Sequence, residues 1–386
     1  MSFNRTRLIL FTLLFSALLV ISPLQAQDVP APVELTLVAY AVPREAYGEI
    51  IPLFQAYWLE QTGQAVNFLE SYQGSGTQSR AVAGGFQADV VALALEPDVT
   101  RLVDAGLVSE NWKEEVPYNG FVTDSVVVLA TRPGNPEGIA DWADIGREGI
   151  SVITPNPATS GGARWNILGA LGAAKRGFVE GYEGSDAGAE QFIRSVITNV
   201  EVLDRDARES FQTFERGIGD VSITYENEYY AGIQAGGEYD VVYPRSTILI
   251  ENPVAVVDGY VDQRGTREVA EAFVQFLFTQ NAQRIFANHG FRPVNPIVAA
   301  DFGLEIAAPD ATPEAGVTEE VATEEPSATE EVAEEVTVEI DSSITFPVIE
   351  DLFTIDEFNG WAEAQPLYFG EDGIIINLIT EIKGEF

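Results

Sequence analysis

The chain has 386 residues, 46% of them hydrophobic and 21% charged, which is globular composition with ample material for a large core. Its formal net charge of −39 argues against nucleic acid or an anionic membrane surface as partner. No cysteine is present, so disulfides, thiol catalysis and a lipid-modified Cys are all excluded, and His289 is the only histidine.

Arg5 and Arg7 precede an apolar run over 8–21, and Pro23, Ala26 and Gln27 follow. This reads as a cleaved secretory signal over 1–26, since the run is short of the ~20 residues a membrane span needs. A soluble periplasmic location without a lipid anchor follows.

From residue 33 onward, strand and helix patterns alternate. Strands are expected over 35–42, 65–71 and 89–95, with helices over 44–61, after residue 74 as far as Gly84-Gly85, and from Asp98 as cap to 105. The pattern restarts with strands over 125–131, 149–154 and 220–225 and helices over 164–176 and 189–197. Strands over 239–243 and 248–257 come next, then one long amphipathic helix over 266–287. Repeated β-α-β units imply an α/β fold in which two mostly parallel sheets, joined by extended crossovers, form two lobes around a cleft. The expected division is 32–122 plus 246–386 for the first lobe and 123–245 for the second. His289 is expected at a helix C-terminus, where it favours the macrodipole.

Between Glu305 and Asp341 lie thirteen acidic residues and no Lys or Arg, with Thr-Glu-Glu recurring at Thr318, Thr323 and Thr329. This stretch (305–342) reads as a disordered acidic insertion in a surface loop.

Two Gly/Ser segments sit where a strand hands over to a helix: Gly74-Ser75-Gly76-Thr77-Gln78 and Thr159-Ser160-Gly161-Gly162-Ala163-Arg164-Trp165. Helix starts leave N–H groups unpaired and carry partial positive charge, and glycine lets the backbone approach a ligand. The pair therefore forms an anion cradle, one part in each expected lobe. No Gly-Lys-Ser/Thr follows either loop, so neither is a nucleotide-binding motif. Arg164 is expected to brace the loop and Trp165 to lie in the core.

The run Pro155-Asn156-Pro157-Ala158-Thr159-Ser160-Gly161-Gly162-Ala163-Arg164-Trp165-Asn166 resembles the signature of the periplasmic sulfate-binding proteins of ABC transporters. Asn199-Val200-Glu201-Val202-Leu203-Asp204, Arg216-Gly217-Ile218-Gly219-Asp220-Val221, Glu226-Asn227-Glu228, Phe291-Arg292-Pro293 and Leu352-Phe353-Thr354-Ile355-Asp356-Glu357 extend the similarity. The resemblance implies a two-lobe periplasmic-binding-protein fold of type II that binds sulfate through backbone N–H groups, one serine hydroxyl and an indole. By that resemblance Ser75 supplies the hydroxyl, and Ala41, Ser160, Gly161, Gly162 and Ser210 supply backbone donors. Tyr225 stands where the family usually has tryptophan; its hydroxyl can donate but can also accept. The implied partners are sulfate and a membrane permease, for a monomer with no cofactor or metal. Thiosulfate, molybdate and phosphate remain alternative ligands. Two other readings are an exported hydrolase using Glu226 and Glu228, which share a face if the strand continues through them, and an adhesin built on the acidic segment.

Overall fold

The structure, a computed structural model, describes residues 30–305 and 337–384. The expected signal segment and most of the acidic stretch lie outside the described residues. No helix among the described residues is long and apolar enough to cross a membrane.

Strand and helix alternate from the start: β1 (Val33–Tyr40), α1 (Arg44–Thr62), β2 (Val66–Gln73), α2 (Ser75–Ala83), β3 (Val90–Ala92) and α3 (Glu96–Asp104). Both β2 and β3 pair with β1 in parallel. The chain then leaves along β4 (Phe121–Thr131) and builds α4 (Trp142–Ile145), β5 (Val152–Pro155), α5 (Gly161–Lys175), α6 (Asp186–Asn199), β6 (Val200–Asp204), α7 (Ala207–Glu215), β7 (Val221–Tyr225), α8 (Glu226–Gln234) and β8 (Asp240–Val242). Here β5 pairs in parallel with both β6 and β7. It returns along β9 (Ser246–Val256) into α9 (Asp258–Arg264), α10 (Arg267–Phe276), α11 (Gln280–Asn288) and α12 (Pro296–Asp301), and closes with β10 (Asp351–Phe353), α13 (Trp361–Phe369) and α14 (Ile374–Lys383).

The strand order β2-β1-β3-β9-β4-β7-β5-β6 shows how the two halves connect. The long strands β4 and β9 pair antiparallel with each other, Ser125 opposite Ile250 and Val126 opposite Leu249. Beyond that stretch β9 joins β3, while β4 joins β7. Each therefore belongs to both sheets, and together they form the crossover that the sequence pattern anticipated.

Three local expectations are corrected. The helix expected over 266–287 is two helices, because Thr279 caps a new start by accepting the Ala282 N–H at 3.4 Å. Asp98 does not cap α3; Leu95 holds that position, and Asp98 lies buried in the first turn. Finally, β7 stops at Tyr225, so Glu226 and Glu228 lie on α8 rather than on a strand face.

The expected division grouped 246–386 with the first lobe, and the tail touches elements of both halves. Helix α14 packs on α6, Glu381 pairs with Arg194 at 2.8 Å, and Lys383 Nζ donates to Thr198 O. Trp361 meets Trp165 edge-on at 4.8 Å between centroids. Helix α13 also packs on α3, so the last two helices contact both halves. At the other end of the acidic stretch, the backbone N–H groups of Val338 and Asp341 donate to Asn281 and Asn288, which fastens the returning chain to α11.

Near the crossover, Arg292 forms a two-pronged pair with the fully buried Glu226 at 2.6 and 3.1 Å, while its backbone bridges Asp124 of β4. Removing one partner of a buried pair strands the other charge. Arg292→Ala is therefore expected to lower unfolding stability by ~3–5 kcal/mol in denaturant titration, and adding Glu226→Gln should recover part of the loss.

Candidate functional site

Five helices begin at one place. Ala41 and Val42 lead into α1, Gly74 and Ser75 open α2, Ser160, Gly161 and Gly162 open α5, Asp206 and Ala207 open α7, and Tyr225 precedes α8. With Tyr40 and Ala94 these residues line a small, tight cavity. Each helix start follows the carboxyl end of a strand, where open α/β sheets place their ligands. No Lys, Arg or His lines the cavity. Its positive character comes from helix termini, each equivalent to roughly half a charge, and from unpaired N–H groups.

Tracing each donor shows which are free. Gly161 and Gly162 occupy the first two positions of α5, where no acceptor precedes them in the helix. The backbone N–H of Ser160 is already bonded to Asn156 O at 2.9 Å. Its hydroxyl accepts from Ala163 N and keeps its own proton. Ser75 is the converse: its hydroxyl donates to the Asp98 carboxylate at 2.6 Å and accepts from Ala94 N at 3.0 Å, which leaves its backbone N–H at the first position of α2. The two serines thus exchange the expected roles, because a hydroxyl has one proton to give.

Ser210 does not line the cavity, and its N–H closes the first turn of α7 on Asp206 O at 3.0 Å. Ala207, at the start of that helix, lines the cavity with its N–H unpaired among the described residues. Sequence reasoning missed Ala207, although an Asp-Ala start with Glu three residues beyond Asp206 is a helix-initiation signal. The Ala41 N–H, just past β1, also makes no hydrogen bond among the described residues. The Tyr225 hydroxyl is fully buried without a hydrogen-bond partner. Burial pushes this phenol well above its usual pKa, with Glu228 adding to the rise. It therefore remains a neutral O–H donor.

Two carboxylates lie close by. Asp206 caps α7 by accepting Glu209 N at 2.9 Å, and Asp98 behind Ser75 pairs with Arg101 at 2.9 Å.

The two halves meet tightly here. A Cβ on Gly161 would come within 2.8 Å of Ala94 Cβ and 2.9 Å of Leu95 Cγ, and one on Gly74 within 2.8 Å of Thr159 O. Trp165 Nε1 donates to Ala94 O at 2.8 Å. Arg208 reaches from α7 to Val42 O and Glu45 at 3.1 and 2.8 Å. Arg164 braces the cradle loop through Pro157 O at 2.9 Å and Gln365 at 3.0 Å, and Trp165 is wholly buried. His289 ends α11 and pairs with Glu49 at 3.0 Å.

Glu226 and Glu228 are both fully buried. Glu226 is held by Arg292. Glu228 lacks a hydrogen-bond partner on either oxygen, with Arg208 Nε 3.4 Å away. Burial raises its pKa to about 7, against the pull of Arg208. Among the described residues no group of His, Cys, Asp and Glu is arranged to hold a metal.

A cleft between two crossover-linked α/β lobes, floored by helix starts and uncharged donors, defines a type II solute-binding protein with an anion site. Residues 35–292 match the bacterial extracellular solute-binding protein family, and the chain belongs to it. It is 45% identical to the sulfate-binding protein of Synechococcus elongatus over 89% of this chain and 85% of that one. The structure of the sulfate-binding protein SubI from Mycobacterium tuberculosis H37Rv superposes with a TM-score of 0.70 at 36% identity, covering 87% of this chain and 99% of that one. The thiosulfate-binding protein of Escherichia coli is 38% identical over 73% of this chain and 84% of its own length.

Two outcomes follow. Gly161→Ala places a methyl against buried Ala94 and Leu95, so the halves must part to accept it and anion affinity should fall at least tenfold by calorimetry. For Glu228, a carboxyl raised in the folded state favours folding below its unfolded pKa, and that contribution fades as pH rises through about 7. Unfolding free energy should therefore drop by up to about 3 kcal/mol between mildly acidic and mildly alkaline pH, and Glu228→Gln should flatten this slope.

Proposed function

We propose that this chain captures sulfate in its interlobe cleft and delivers it to the permease of an ABC importer, working outside the cytoplasm after removal of its N-terminal signal. The observation that carries this is the set of unpaired donors: the N–H groups of Ala41, Ser75, Gly161, Gly162 and Ala207, and the hydroxyls of Ser160 and Tyr225. Sulfate is fully ionised at neutral pH, so it accepts at every oxygen and has no proton to place. Donors alone satisfy it.

Charge-assisted hydrogen bonds contribute roughly 1.5–3 kcal/mol each. About six or seven exceed the roughly 8 kcal/mol that micromolar affinity represents. Desolvation and closure of the halves absorb the excess. Uncharged donors also leave the anion releasable, as a transport intermediate requires. Several relatives are named for sulfate, and their names agree with this chemistry.

The chain acts by binding rather than catalysis. Glu226 is locked to Arg292, so the two α8 carboxylates do not form a pair free to act on a substrate. Thiosulfate is the second ligand to weigh, since it too presents proton-free oxygens and a relative is named for it. Calorimetry with sulfate, thiosulfate and molybdate separates these, and tightest binding of either alternative would replace sulfate.

The donor assignment has its own test. Ala207→Pro removes one N–H at a helix position where proline fits, after an Asp206 already in extended backbone. It should weaken sulfate binding about tenfold or more without loss of stability. Ser160→Ala should cost a similar factor. Unaltered affinity in Ala207→Pro would return the role to another residue of that turn.

A further inference from the structure

We infer that Tyr225 sets the anion selectivity of the cleft, its hydroxyl admitting a protonated tetrahedral oxyanion of the hydrogen phosphate class beside a fully ionised one. The inference rests on the sulfate reading and concerns the same cavity.

A ligand that carries an O–H needs an acceptor, and an unpaired buried O–H lowers affinity roughly ten- to a hundredfold. The backbone groups at this site only donate. Ser160 Oγ already takes Ala163 N, and Ser75 Oγ is engaged both as donor and as acceptor. Tyr225 differs from all of these. Its oxygen lies in a fully buried position with the proton unused and no partner on either lone pair.

Nearby Asn252 acts on the phenol, holding back part of the rise in its pKa, but makes no hydrogen bond of ordinary geometry to it. Asn252 Oδ1 accepts the hydroxyls of Tyr40 and Thr123 at 3.0 and 3.3 Å, and its amide donates to Ala94 O at 3.3 Å. The ring edge next to the hydroxyl lies over the start of α5, with Cε1 3.4 Å from the Cβ position of Gly162. The phenol therefore sits beside the N–H groups that hold the anion. Where an indole only donates, a phenol donates and accepts. Asp206 also lines the cavity; its Oδ1 caps α7, and its second oxygen is the competing acceptor that the variants below separate from Tyr225.

Calorimetry on wild type, Tyr225→Trp and Tyr225→Phe with sulfate and with inorganic phosphate at neutral pH tests this. Wild type should bind phosphate measurably, and phosphate should displace sulfate. Tyr225→Trp should keep sulfate affinity within a few-fold and lose phosphate affinity roughly ten- to a hundredfold. Tyr225→Phe should weaken both. Phosphate binding unchanged in Tyr225→Trp overturns the inference and moves the acceptor to Asp206. Wild type that binds sulfate but ignores phosphate overturns it as well, whether or not the variants fold. If wild type binds neither anion, the sulfate reading itself fails, and this inference falls with it.

Discussion

The site depends on one constraint: backbone N–H groups at a helix start have no acceptor inside their own helix. Three such starts, of α2, α5 and α7, turn their unpaired N–H groups to the cavity, and the approaches to α1 and α8 add Ala41 and Tyr225. The arrangement creates positive potential without a cationic side chain in a chain whose formal charge is −39. Because five of the seven donors belong to the backbone, their directions are fixed by strand ends and helix axes rather than by rotamers. Ordering them therefore costs little side-chain entropy on binding.

Convergence requires both sheets, and the two long strands β4 and β9 provide it. Each pairs with its counterpart near the middle and with a different sheet beyond, so the halves keep a common register. Gly74 lets backbone meet backbone across the gap, and Gly161 lets α5 approach the side chains of Ala94 and Leu95, where a side chain would hold the gap open. Trp165 and Arg208 then tie the halves together through carbonyl oxygens of residues that themselves line the cavity.

Much of this was legible in the sequence. Alternating apolar runs marked the strands, and the Gly/Ser turns at Gly74-Ser75 and Ser160-Gly161-Gly162 marked two of the helix starts. What stayed hidden was which atom of each residue remains free. The roles of Ser75 and Ser160 are decided by partners distant in sequence or set by a turn, Asp98 and Asn156, and no local pattern encodes them. Ser210 differs from Ala207 because nearly one turn of helix separates them, and within that turn the N–H groups change from unpaired to bonded. The break at Thr279 is a case where a capping signal outweighed an apolar period, whereas α8, which carries Glu226 and Glu228, starts after Tyr225 without a side-chain cap.

The placement of α13 and α14 bears on the order in which contacts can form. From far along the sequence, Trp361 packs on Trp165 and α14 packs on α6. Ile375 and Leu378 share one cavity with Leu171 and Ile193 of the earlier helices. The second sheet therefore completes its covering through contacts of long sequence separation, whose loop-closure entropy must be met before they stabilise anything.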